Sequence, residues 1–142
     1  MVRFVLAGLA ALILLTGNAL AAADPARHAL SVPVLERLKA AVKEGERVLP
    51  KTDDKDDADQ PTVEELAKSL DATPGVKALL ARHGFTSQSF ALATLAYFHA
   101  GFYLMMEPAM DKKKAAELRA SYPKETQANI ELLRKNPKLM QQ

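Results

Sequence analysis

Hydrophobic side chains recur every three or four residues along much of the chain, which is the period of an α-helix. Ser31 is a suitable N-cap residue ahead of the first such segment, residues 34–49, and Pro50 cannot continue a helix. The pattern predicts an amphipathic helix of about sixteen residues with a single apolar face. The apolar positions on that face are Val34, Leu35, Leu38, Ala41, Val42, Val48 and Leu49.

Turn and capping signals divide the middle of the chain. Thr62 and Glu65 have the spacing of a capping box, and Thr73 offers a second N-cap farther along. Gly84 supplies the left-handed residue that ends many helices. Residues 62–83 are therefore predicted to be helical, and no segment of the chain shows the strict alternation of a β-strand.

The most apolar segment after the N-terminus is residues 87–107. Between Phe90 and Met106 its only polar groups are the side chains of Thr94 and His99 and two tyrosine hydroxyls. A helix that is apolar on every side is normally enclosed by others. We therefore predict an all-α fold, a single small bundle of four to five helices around this segment. The helices packed on it are those predicted within residues 34–49, 62–83 and 124–136. A membrane hairpin is disfavoured because the segment is short, contains a histidine and has no apolar partner segment.

The chain begins with the pattern of a secretory signal peptide. A short basic start is followed by residues 4–15, which are all apolar or glycine, and then by small residues as far as Ala23. We expect cleavage after Ala23, with Ala21 as the alternative, and export to the periplasm or beyond. An uncleaved anchor is disfavoured because the apolar run falls short of the roughly 20 residues that span a bilayer. We expect no transmembrane segment in the remaining single domain, residues 24–142.

Composition and charge narrow the classes of function. The chain is 49% apolar with a formal charge of +2, but 18 of its apolar residues lie within residues 1–23. The near-neutral charge argues against a nucleic-acid binder. The absence of cysteine excludes disulfides and a thiol-linked lipid or haem. Residues 112–142 carry eight basic and three acidic side chains. The basic turn proposed to touch another envelope protein or an anionic envelope surface is Lys112, Lys113 and Lys114.

An acidic segment at residues 51–61 has five aspartates within seven positions. So many like charges cannot pack into a core, which predicts a solvated flexible loop. Aligned from Asp54, the calcium-loop pattern finds oxygen ligands at several positions but lacks the glycine that makes the sharp turn. The positions that match are Asp54, Asp56, Thr62 and Glu65. We therefore favour a linker over a calcium site.

The aromatic and methionine side chains of the central helix predict a binding surface. Six of the seven aromatic residues that follow residue 23 lie between Phe85 and Tyr103. The leading hypothesis is a non-enzymatic module that binds a partner protein or a small apolar ligand between its helices. The residues expected to contact that partner are Tyr97, Phe98, Phe102, Met106 and Asn129.

Two other hypotheses stay open. The first is a soft-metal binder, because His99, Met106 and Met110 offer an imidazole and two thioethers, which suit copper(I). Packing is the commoner role of such side chains, so no cofactor is predicted. The second is an enzyme of an unrecognised type. No catalytic residue is proposed, because the chain lacks a G-x-S-x-G elbow and a glycine-rich phosphate loop.

Three short segments carry a family resemblance: Gly84-Phe85-Thr86, the sequence TLAYFHA at 94–100 and the sequence TQANIELL at 126–133. Over about residues 62–137 the chain resembles small exported helical proteins of proteobacteria whose role is uncharacterised. The resemblance implies an exported helical fold and no particular activity. It also implies that Asn129 lies inside the fold, where an amide can cap a helix end or tie down a loop.

Overall fold

The computed structural model describes residues 24–49 and 59–141. These residues form six α-helices and three short 3₁₀ helices, and they contain no β-strand, so the all-α prediction is confirmed. The predicted signal peptide and most of the acidic segment lie outside the described residues. The α-helices are α1 (Val32–Val48), α2 (Val63–Ala72), α3 (Val76–Arg82), α4 (Ser87–Met106), α5 (Lys112–Ser121) and α6 (Lys124–Lys135).

The helix boundaries follow from local capping chemistry. The Ser31 hydroxyl accepts a hydrogen bond from the Val34 amide at the start of α1, and Thr62 and Glu65 form the expected capping box on α2. The prediction that Thr73 caps the next helix is wrong. Its hydroxyl donates to the carbonyl of Ser69 at the end of α2 instead. The chain then turns through Gly75, whose φ of 84° is the left-handed conformation that glycine adopts without strain.

The main core is formed where α1, α3, α4 and α6 meet. Apolar side chains from all four helices are enclosed there, and the edge of the Phe85 ring packs against the ring of Phe90. Burial of these side chains is the main source of stability in a chain that has no disulfide. The buried members are Leu35, Leu38, Ala41, Val76, Leu79, Leu80, Phe85, Phe90, Ala93, Ala100, Tyr103, Ile130 and Leu133.

Helix α2 packs on α4 through a second, smaller cluster. Val63 at the start of α2 is enclosed with Ala91 and Leu95 of α4. At the opposite end of α2, the Ser87 hydroxyl donates a hydrogen bond to the carboxylate of Asp71 at 2.5 Å. Helix α2 therefore runs antiparallel to α4, along its first half only.

The segment before α1 is tied to α6 by side-chain hydrogen bonds. The Asn129 amide donates to the carbonyl of His28 at 2.7 Å, and its oxygen accepts from the Leu30 amide at 2.8 Å. One turn earlier on α6, the Thr126 hydroxyl donates to the carbonyl of Ala26. Asn129 thus lies inside the fold, 1% exposed, and replaces the main-chain partners that this segment lacks.

Helix α5 is attached to the bundle by tyrosine contacts and one ion pair. The buried Tyr103 hydroxyl donates to the carbonyl of Ala115 at 3.0 Å, and the edge of its ring meets the ring of Tyr122. Arg119 pairs with Glu131 of α6 at 2.9 Å. These contacts hold the lysine-rich start of α5 just beyond the C-terminal end of α4.

Candidate interaction surface on helix α4

Helix α4 buries one of its faces along only half of its length. On this face Ala91 and Leu95 are enclosed beneath α2. Steps of three and four residues lead along the same face to Phe98, Phe102 and Met105. Helix α2 has 10 residues and α4 has 20, so α2 covers the first half of α4 and does not extend over the second half. The uncovered face, as we call it, consists of Phe98, Phe102, Met105 and Met106.

The side chains of the uncovered face are strongly exposed for their type. Phe98 and Phe102 are each 54% exposed, Met105 is 66% exposed and Met106 is 41% exposed. A β-carbon placed on Gly101, between the two phenylalanines, would meet no atom within 4 Å. A contiguous exposed group of large apolar side chains is typical of an interaction site, whereas single exposed apolar residues need no explanation. The prediction that α4 is enclosed on every side is therefore wrong for its second half.

The side of α4 behind the uncovered face is packed into the core. On the opposite side of the same helical turns, Ala100 is fully buried and Tyr103 is 2% exposed. The Tyr103 hydroxyl is held by its hydrogen bond to α5. The exposed phenylalanines are therefore presented on a helix whose position is fixed by its core side. A surface that is already ordered loses less conformational entropy when a partner binds to it.

Charged side chains of both signs lie near the ends of the second half of α4, acidic ones at the start of α2 and basic ones at the start of α5, which is attached on the Tyr103 side of α4. At the end near Leu95, the start of α2 brings exposed acidic side chains, including Glu64. At the other end, Lys112, Lys113 and Lys114 are all exposed in the first turn of α5. The Lys113 amine is 4.0 Å from the Glu117 carboxylate, a contact with little energy at 82% side-chain exposure.

The residues expected to contact a partner fall in two different environments. Phe98, Phe102 and Met106 share the uncovered face. Tyr97 lies on the core side, where burial raises the pKa of its phenol and the hydroxyl donates to the Leu139 carbonyl at 3.4 Å. Asn129 lies on α6, and its amide already bonds the segment before α1.

Met105 is the residue that sequence reasoning left out of the expected contacts. It is the most exposed large apolar side chain of α4, at 66%. Its spacing of seven from Phe98 and three from Phe102 is the signal that could have identified it.

The proposed copper ligands occupy three different settings. His99 is half-buried and Met106 is exposed, and they lie two helical turns apart, about 10.5 Å along the axis. Met110 packs against the main core beyond the end of α4. In the described part of the chain, no three His, Asp or Glu side chains come together as a metal site. The copper hypothesis remains a prediction from the sequence.

The main titratable cluster joins α1 to α3. The Glu44 carboxylate bonds the Arg82 guanidinium and the His83 ring, and these two contacts hold its pKa below the usual range. Close by, the Arg37 guanidinium lies over the Phe85 ring, 5.3 Å from its centre. The arrangement links two helices, and we assign it a structural role.

Two of the four oxygen-bearing residues that match the calcium pattern, Thr62 and Glu65, lie in the described part of the chain and form a helix cap. The Glu65 carboxylate accepts from the Thr62 amide, and the Thr62 hydroxyl accepts from the Glu65 amide. Asp54 and Asp56 lie outside the described residues.

By length and composition alone, the segment Ser87–Ala109 could cross a membrane. A core helix of a soluble protein passes the same test, and one third of its most apolar window is buried. The first half of this helix is packed under α2, so the exposed apolar surface is confined to the uncovered face.

No family model matches the chain, and no curated protein or solved structure is significantly similar to it.

Proposed function

We propose that this protein is an exported, non-enzymatic interaction module, and that it binds a partner protein through the uncovered face of α4. The observation that carries the proposal is the exposure of Phe98, Phe102, Met105 and Met106 on one face of α4. Aromatic and methionine side chains are enriched where proteins bind one another. The flexible thioethers of the two methionines suit a surface that must adapt to its partner.

The shape of the uncovered face favours a protein over a small ligand. Small-molecule sites are concave and enclose most of the ligand. The uncovered face is the outer surface of a helix, next to Gly101, where a neighbouring backbone can approach closely. The chain itself supplies the example of a fitting partner, because the amphipathic helix α2 already packs on the same face through Val63. A helix lying in line with α2 would continue that packing.

Export is the second part of the proposal, and the N-terminal sequence supports it. Cleavage after Ala23 would leave Asp24 as the first residue. Its carboxylate accepts a hydrogen bond from the Ala26 amide and caps the 3₁₀ helix Pro25–Arg27. Intact-mass measurement of the protein recovered from the periplasm of an expressing bacterium is expected to show the loss of residues 1–23. A full-length mass in the membrane fraction would contradict export by a cleaved signal.

Site-specific photocrosslinking tests the docking surface. A benzophenone amino acid is placed at Phe102 and, as the matched control, at Val42, which is 45% exposed on α1. Irradiation of cells producing the protein is expected to give an adduct of discrete mass from position 102 and none from position 42. Adding Met105→Glu should remove the adduct. Identical results at both positions, or only lipid adducts at position 102, would contradict the proposal.

A further inference from the structure

We propose that the segment before α1, once docked on α6, blocks removal of the signal peptide, so that residues 1–23 are cleaved off before the chain has folded. This inference rests on the export that forms part of the proposed function, and it adds the order of the two events. It is argued from the hydrogen bonds that hold residues 24–30, which we call the docked segment, and from the distance in sequence between these residues and α6.

The docked segment begins with a closed turn rather than an extended strand. The Asp24 carboxylate accepts a hydrogen bond from the Ala26 amide at 2.9 Å, and the Asp24 carbonyl accepts one from the Arg27 amide at 3.0 Å. The next amide, that of His28, donates to the Pro25 carbonyl at 3.3 Å. The main chain directly after the expected cleavage site is therefore already folded on itself.

Helix α6 holds the docked segment from outside. The Thr126 hydroxyl donates to the Ala26 carbonyl, and the Asn129 amide donates to the His28 carbonyl, each at 2.7 Å. The Asn129 oxygen also accepts from the Leu30 amide at 2.8 Å. The 3₁₀ helix at the start of the segment lies against both α4 and α6. Release of the segment from α6 therefore breaks three hydrogen bonds and separates packed surfaces.

Two polar residues on the buried face of α6 serve this docking. Thr126 and Asn129 are 2% and 1% exposed, and the other buried residues of α6, Ile130 and Leu133, are apolar. In the described chain, the side-chain hydrogen bonds of Thr126 and Asn129 all go to the docked segment. Loss of the partner of a buried polar group costs free energy. The folded chain therefore favours the docked state.

The expected cleavage site lies directly beside the docked segment. A peptidase cuts where a segment is free of the fold and can lie extended in the enzyme's cleft, with its main-chain groups available. The bond that we expect to be cut joins Ala23 to Asp24, whose carbonyl is already bonded. The alternative bond after Ala21 lies two residues earlier. In either case the docked segment must leave α6 before the bond enters the active site.

The partners of the docked segment are made last. Thr126 lies 100 residues after Ala26, and Asn129 lies 101 residues after His28. At about 5–20 residues per second, a ribosome makes the chain between them in roughly 5–20 s. During that interval α6 does not yet exist, and the bond after Ala23 is accessible. A chain that folds completely before it meets the peptidase instead keeps residues 1–23.

Cell-free synthesis of the full chain tests the order of events. The translation system is reconstituted from purified components, and detergent-solubilised signal peptidase is either present during synthesis or added after the chain has folded. Intact-mass spectrometry measures the loss of residues 1–23 after equal exposure to the enzyme. We expect cleavage to be at least about tenfold faster when the enzyme is present during synthesis. Equal rates under the two conditions would overturn the proposal.

Substitutions on α6 test the docking itself, with the folded precursor as substrate. Asn129→Ala removes two of the three bonds and should speed cleavage by about tenfold or more, because cleavage follows the population of the released segment. Thr126→Val is a milder variant of similar size and should give a smaller increase. Urea titration followed by circular dichroism establishes that each variant is folded.

Leu95→Ala is the matched control for a loss of overall stability. Leu95 belongs to the smaller cluster between α2 and α4, which contains no residue of α6 or of the docked segment. Its substitution should change the cleavage rate of the folded precursor by less than about twofold. Equal acceleration by Leu95→Ala and Asn129→Ala would show that cleavage follows global unfolding, and would overturn the proposal.

The outcomes separate this inference from the proposed export. Loss of residues 1–23 that is equally fast from the growing chain and from the folded chain overturns the block by the docked segment and leaves the cleaved signal intact. Retention of residues 1–23 under both conditions overturns both the block and the cleaved signal.

Discussion

The hydroxyl of Ser87, the first residue of α4, donates a hydrogen bond to the carboxylate of Asp71 near the end of α2 at 2.5 Å. This bond fixes where α2 lies along α4. From this bond, the ten residues of α2 run back along α4 as far as Leu95, where Val63 begins the helix. The exposure of Phe98 and Phe102 is therefore a consequence of the length of α2.

Substitution should affect the stability of the fold strongly at Leu95 and hardly at all at Phe102, although both are large apolar residues of α4. Leu95→Ala empties a site that is 5% exposed and should cost about 2–4 kcal/mol of unfolding free energy. Phe102→Glu removes an exposed ring and should change the free energy of the dilute protein by less than about 0.5 kcal/mol. Urea titration followed by circular dichroism measures both. Equal destabilisation by the two variants would show that Phe102 belongs to a core.

Asn129→Ala should destabilise the fold by about 2–3 kcal/mol, because it leaves the partly buried main-chain groups of His28 and Leu30 without partners. Asn136→Ala is the matched control, since the side chain of Asn136 bonds only the nearby Leu132 carbonyl at the end of α6. Its cost should stay below about 1 kcal/mol. The prediction is contradicted if the two variants unfold at the same urea concentration.

Glu44 should give the fold a pH dependence in the acid range. Bonds from Arg82, then from His83, lower its pKa in the folded state below the model-peptide value of 4.5. The stabilisation is therefore complete above pH 4.5 and is lost as the pH falls through the folded pKa. Urea titrations of the wild-type protein and Glu44→Gln should differ near neutral pH and converge as the pH falls below 4.5. Glu46→Gln, an exposed change on the same helix, should leave the pH profile unaltered.

Two glycine substitutions should have effects of opposite sign. Gly84 has a φ of 76° at the end of α3, so Gly84→Ala should destabilise the fold by about 1–2 kcal/mol. Gly101 lies in the interior of α4 with open space around it, so Gly101→Ala should stabilise the dilute monomer by about 0.5–1 kcal/mol. Thermal unfolding by circular dichroism measures both changes. A stabilising Gly84→Ala would contradict the left-handed conformation.

The elements of the fold could be predicted from the sequence because their signals are local. The capping box at Thr62, the N-cap at Ser31 and the glycine stop at Gly84 each depend on a few neighbouring residues. The prediction of Thr73 as a cap failed because a threonine hydroxyl can also bond the helix behind it. Thr73 could cap α3 or bond back to α2, and the turn at Gly75 leaves it bonded to α2. The hydrophobic pattern of the sequence does not reveal that turn.

The uncovered face could be predicted only in part. The concentration of aromatic residues pointed to Phe98 and Phe102, but an apolar helix looks the same in sequence whether its neighbours cover all of it or half. Coverage depends on how far α2 extends along α4, which is a relationship between distant segments. The tie between Asn129 and His28 is of the same kind, since it joins residues 101 positions apart.

The oxidation rate of Met105 in the native protein tests the uncovered face most directly, because it needs no substitution. Dilute peroxide is applied to cells producing the protein and to the purified protein at high dilution, and methionine sulfoxide is measured by mass spectrometry. Met140, which is half-buried beside the main core, is the internal reference. We predict that Met105 is oxidised faster than Met140 in the dilute protein and is protected relative to Met140 in cells. An unchanged ratio of the two rates would contradict a partner on this surface.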